Sequence, residues 1–123
     1  MANLLIVDDE LGMRQFLTHL FQREGHDVRS AENGREAMTL LHAEPADLIV
    51  SDVRMPDMNG IELLESARAL LPNVEVVLMT ADNHHDVNFR VAQDFAIVRT
   101  TVRRAETLGV AFAPRAARRM HGL

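Results

Sequence analysis

The chain has 123 residues, 47% of them apolar, which fills the core of one small domain and leaves nothing for a second. It has no cysteine, so disulfides and thiolate metal sites are excluded, and its net charge of −5 argues against general nucleic-acid binding and for a cation or a protein partner. The longest apolar runs are the length of strands, and no basic segment leads into an apolar stretch at the start, so a cytoplasmic protein without membrane contact is expected.

Short apolar runs alternate with amphipathic stretches, the pattern of β-α units around a parallel sheet. The first strand is expected at about residues 3–8, through Leu4-Leu5-Ile6-Val7. A helix follows in which Met13, Phe16, Leu17, Leu20 and Phe21 recur at i, i+3, i+4, i+7 and i+8, with Gly25 placed to stop it. A weak edge strand from Asp27 to Ser30 leads through Asn33-Gly34 into a second helix with Ala37, Leu40 and Leu41 on its apolar face, ended by Pro45. Leu48 to Ser51 form the third strand. A third helix starts near Gly60 and carries Ile61, Leu64, Ala67 and Leu71 on one face, with Pro72 just past its end. Val74 to Met79 form the fourth strand. Asp57 and Asn59-Gly60 read as turn and cap residues, and Met55 and Met58 as flexible packing beside the loop.

Acidic residues fall where these runs end. Asp8 and Asp9 close the first, Asp52 closes the third, and Thr80 follows the fourth. In an open doubly wound sheet, ligands bind beyond the carboxyl ends of the strands, at the point where successive connections go to opposite sides. Three carboxylates gathered there repel one another, and a hard divalent cation with oxygen ligands relieves that repulsion, so Mg²⁺ is the expected cofactor. Taken alone, an acidic pair after a strand is more often a solvated turn or a helix cap. The coincidence with Asp52 and Thr80 at the matching strand ends is what points to a site.

Val7-Asp8-Asp9-Glu10 followed by Met13-Arg14-Gln15-Phe16-Leu17, together with Asp52-Val53-Arg54-Met55-Pro56-Asp57-Met58-Asn59-Gly60, resembles the receiver domain of two-component response regulators. The likeness is in particular to the receivers that begin enhancer-binding transcriptional activators of the nitrogen-regulator type. The resemblance implies an α/β, flavodoxin-like fold: a doubly wound parallel five-stranded sheet of order 2-1-3-4-5, whose switch point lies between strands 1 and 3. It implies that Asp52 is the phosphoacceptor for a phosphohistidine of a sensor histidine kinase. Asp8, Asp9, Asp52 and the backbone carbonyl of Arg54 would hold Mg²⁺, and Thr80 would hydrogen-bond a phosphoryl oxygen. The chemistry is positioning and charge neutralisation. Such a chain is a signalling switch and no enzyme. Its partner is the kinase, with homodimerisation also open and no direct contact with nucleic acid.

The resemblance is clear over residues 1–82 and breaks over 83–123, so residues 1–123 read as one receiver domain with an atypical C-terminal third. The family's fifth strand ends in Lys-Pro, and this chain has no lysine. With Asp94-Phe95 as the pair before that motif, Val98 falls at the lysine position and Arg99 at the proline. Residues 1–80 carry 6 Arg against 14 Asp and Glu, whereas residues 81–123 carry 7 Arg against 4. A switch of that kind is what an out-of-frame reading of GC-rich coding sequence produces. Two readings stay open: a frameshifted or decayed segment, or a divergent one with Phe95-Ala96-Ile97-Val98 as strand 5 and Val102, Ala105, Leu108 and Phe112 as one helix face. Two functions also stay open: a phosphorylatable receiver or, because the cation that would grip the phosphoryl group is missing, a degenerate receiver-like scaffold that is not phosphorylated or cannot relay the signal. A phosphatase with an aspartate nucleophile would want Asp-x-Asp after the first strand, where this chain has Asp8-Asp9-Glu10.

Overall fold

The computed structural model describes residues 2–79 together with Ala96, Arg99, Thr100, Val102 and Arg103; the expectations for Thr80 and for the other residues of 80–123 lie outside the described residues. Strands β1 (Asn3–Val7), β2 (Asp27–Ala31), β3 (Leu48–Asp52) and β4 (Glu75–Met79) alternate with helices α1 (Leu11–Arg23), α2 (Gly34–Ala43) and α3 (Gly60–Leu70). All strand pairs are parallel, in the order β2-β1-β3-β4. Among the described residues the sheet therefore has four strands, in the expected order as far as it goes. The central strands β1 and β3 are buried at every position, as uninterrupted apolar runs require when both faces of a sheet are covered. Edge strand β2 is fully buried only at Ala31.

Alternation along the strands divides the core in two. Leu4 and Ile6 of β1, with Leu48 and Val50 of β3, pack with Met13, Leu17 and Phe21 of α1. Leu5, Val7 and Ile49 point to the other face and meet Ala37 and Leu41 of α2 and Leu63 and Ala67 of α3. Helices on both faces make the sheet doubly wound. The end of α1 shows how the chain is turned back into β2. Gly25, at φ 92°, takes the left-handed conformation, its N–H donates to Gln22 O, and the His26 N–H donates to Phe21 O, which together close the last turn.

Two expected helix faces are corrected. On α1 the buried residues are Met13, Leu17 and Phe21, while Phe16 is 51% exposed. It lies roughly a quarter turn from the centre of that stripe. On α3 the buried set is Gly60, Leu63 and Ala67, and Ile61 is 51% exposed. Gly60 fixes this rotation: a Cβ there would sit 2.7 Å from Asp52 O and 3.0 Å from Val53 Cα, so the helix starts in contact with backbone and its i+3 and i+7 residues turn inward.

Ala96, Arg99, Thr100, Val102 and Arg103 are helical, which overturns a strand over 95–98 at Ala96. The Thr100 hydroxyl donates to Ala96 O at 2.9 Å, a contact one helical turn back. Four apolar residues in a row fit a helix as well as a strand, and Ala96 is both helical and exposed. Val102, expected on a helix face, is buried with Leu17, Phe21 and Met79 on the α1 side.

Candidate functional site

The strand register builds the site. Val7 of β1 pairs with Ser51 of β3, so the residues that follow, Asp8 and Asp52, emerge side by side at the carboxyl edge of the sheet. Carboxylate oxygens of Asp8, Asp9 and Asp52 all lie within 4.8 Å of one another. Asp8 and Asp52 are each 4% exposed, whereas Asp9 faces solvent. The sequence expectation that these three acids converge is met, and it is met at the switch point, since β1 connects outward to β2 on one side and β3 lies on the other.

Local hydrogen bonds set the acids in place. The Asp8 N–H donates to Ala31 O at 3.1 Å, Asp8 Oδ1 accepts from the Glu10 N–H at 2.9 Å, and the main-chain oxygen of Asp8 accepts from Arg14 Nη1 at 2.7 Å. Asp52 Oδ1 accepts from the Arg54 N–H at 3.3 Å. The loop after β3 is held at both ends. The Val53 N–H donates to Met79 O, and the Gly60 N–H to Val53 O. Oxygen atoms that share one Mg²⁺ at about 2.1 Å stand roughly 3 to 4 Å apart, so this arrangement of hard carboxylate oxygens fits the ion with only slight closing up.

Three features were outside the reach of the sequence reading. Arg14, one turn into α1, ties down the Asp8 carbonyl. Asp57 bridges to a different helix: its carboxylate accepts the N–H groups of Gly34 at 3.2 Å and Arg35 at 3.0 Å, at the start of α2, as well as that of Met58. The carboxyl of Asp57 is held below its ordinary value of 3.8, first by the Arg35 N–H, against a partial loss of solvation, and then by the N–H groups of Gly34 and Met58. Arg99 is the third. It pairs with Glu24 at 3.7 Å, at the far end of α1 from the acids, a helix about 20 Å long. The cap expectation for Asn59 is met. Asn59 Oδ1 accepts from the Glu62 N–H at the start of α3, and Asn33 Oδ1 does the same for Glu36 in α2. Met55 and Met58 pack, partly buried, against the α2–α3 side of the core.

A parallel doubly wound sheet with three carboxylates at its switch point has the flavodoxin-like architecture. The chain belongs to the response regulator receiver domain family, whose model matches residues 4–98. It is 37% identical over 84 residues to sporulation initiation phosphotransferase F of Bacillus subtilis, a match that covers 68% of each chain. It is 36% identical over 90 residues to the DNA-binding transcriptional regulator NtrC of Proteus hauseri, covering 73% of this chain and 19% of that one. Among solved structures, chemotaxis protein CheY4 of Vibrio cholerae superposes with a TM-score of 0.69 at 26% identity, over 85% of this chain and 98% of that one. The chain thus spans about a fifth of its activator-type relative and is a signalling domain, not an enzyme. Receiver domains bind Mg²⁺ at an acidic pocket and interact with histidine kinases. No helix among the described residues is long and apolar enough to cross a membrane.

Proposed function

We propose that the chain is a cytoplasmic phosphoacceptor that takes a phosphoryl group from a phosphohistidine of a sensor histidine kinase onto Asp52. The convergence of Asp8, Asp9 and Asp52 within 4.8 Å is the observation that carries this reading. A carboxylate oxygen of Asp52 attacks phosphorus, the P–N bond breaks, the imidazole leaves with a proton, and an acyl phosphate remains. Asp8, Asp9, Asp52 and the Arg54 carbonyl would hold Mg²⁺, which when bound neutralises charge on the transferring group. Asp8 and Asp52, buried, are kept in place by the backbone around them, while exposed Asp9 leaves an open side for the incoming group. Thr80 completes the set as the hydroxyl that bonds a phosphoryl oxygen. A second copy of the chain is a further partner, and contact with nucleic acid is left to whatever the domain regulates.

One observation favours a weak relay of the signal. Arg99, next in sequence to Val98 at the family's lysine position, pairs with Glu24 at the opposite edge of the sheet from the acids. A scaffold that binds partners without relaying phosphorylation is the second reading.

The test of the cation site is an NMR titration with Mg²⁺. Wild type should show saturable shifts at the amides of Asp9, Asp52 and Arg54, and Asp9→Ala should abolish them. The same titration curve in that variant would remove the assignment.

A further inference from the structure

Asp57 stands outside the acids, yet it is joined to both the loop that follows Asp52 and the start of α2. Each of its two carboxylate oxygens takes an N–H of that helix, Oδ1 from Gly34 and Oδ2 from Arg35. These belong to the four donors that a helix leaves unpaired at its first turn, and a negative charge suits the positive end of the helix dipole. The contact spans 23 residues of sequence and is backed by packing. Met58 lies directly on Gly34, where a Cβ would come within 2.8 Å of Met58 Cβ and 2.9 Å of Met58 Sδ. The far side of the loop is fixed by Gly60, whose N–H donates to Val53 O. Residues 54–59 are therefore strung between two helix starts, and Arg54 sits on that span.

We propose that Asp57 is a positioning residue for the cation site: by gripping the first turn of α2 it fixes the loop that presents the Arg54 carbonyl to the ion. The proposal rests on the reading of Asp8, Asp9, Asp52 and the Arg54 carbonyl as the site. Groups that hold metal ligands without touching the metal commonly change metal affinity by tenfold or more, and a carbonyl on a loop depends on such support more than a side chain on a strand does.

The experiment is the Mg²⁺ titration on the whole 123-residue chain, as wild type, Asp57→Ala, Asp57→Asn and Gly34→Ala, with the melting temperature of each. Asp57→Ala loses both N–H contacts and should weaken Mg²⁺ binding about tenfold. Asp57→Asn keeps one acceptor oxygen and should fall between. Gly34→Ala gives α2 a better helix former but drives a methyl against Met58, so it should weaken Mg²⁺ binding even where α2 itself is no less stable. Loss of melting temperature with unchanged Mg²⁺ affinity in Asp57→Ala and Asp57→Asn would overturn the proposal alone. Failure of wild type to bind Mg²⁺ would overturn the cation-site reading and this proposal with it.

Discussion

The two edges of the sheet treat charge in opposite ways. At the carboxyl edge, Asp8, Asp9 and Asp52 bring like charges within 4.8 Å of one another. At the amino edge, charged groups meet complementary partners: Arg29 donates to Leu40 O, Glu44 O and Pro45 O at the end of α2, Asp47 Oδ2 accepts the Asn3 N–H, and Arg99 pairs with Glu24. His26 Nδ1 likewise accepts the N–H of Ala2. One edge is organised for stability. The other concentrates repulsion that an arriving cation would relieve, which is how a small domain stores a response to a ligand.

The contrast predicts opposite signs for charge removal. Arg29→Ala should cost the most, about 3 kcal/mol in chemical denaturation, because it strips three part-buried hydrogen bonds from carbonyls at the end of α2. It should leave Mg²⁺ affinity unchanged; a stability loss well under 1 kcal/mol would show that the amino edge does not depend on this clamp. Asp52→Asn should go the other way and raise stability by about 1 kcal/mol in Mg²⁺-free buffer at neutral pH, since one of three mutually repelling charges is gone. A destabilised Asp52→Asn would break the comparison.

The smallest effect concerns Asp57, an acid at the carboxyl edge that is bonded like those of the amino edge. Its folded-state carboxyl is depressed below 3.8, so its charge contributes stability that is fully present above that value and is lost as pH falls through the lower folded-state value. The stability gap between wild type and Asp57→Asn, measured by denaturation across pH, should therefore be level near neutrality and narrow below about pH 4. A gap that widens on acidification would reverse the sign of this contribution.

Much of the carboxyl edge was legible in the chain because the signal there is one-dimensional. Apolar runs of four or five residues end in Asp8-Asp9 and in Asp52, and a parallel sheet needs no more than that to align them. Helix faces were harder. Ala67 belongs both to the set with Ile61, Leu64 and Leu71 and to the set with Leu63 and Leu70, and only the contact of Gly60 with the Asp52 backbone selects the second. The apolar run ending in Val98 carries no period that separates strand from helix; Ala96 is helical and exposed, and it is Val102 that joins the core. Asp57 looked like a turn residue because its partners, Gly34 and Arg35, lie more than 20 positions away and show no pattern that pairs with it. Arg14 and Arg29 were silent for the same reason: they bind main-chain oxygens, which no side-chain pattern marks.

The central claim is that the repulsion at the carboxyl edge serves phosphorylation of Asp52. Intact-mass spectrometry after incubation with acetyl phosphate tests it most directly, on wild type and Asp52→Asn, with Mg²⁺ and with chelator. The account predicts a single phosphoryl adduct on wild type that requires Mg²⁺ and is absent from Asp52→Asn. An unmodified wild type under all conditions, or an adduct of equal yield in Asp52→Asn, would contradict it.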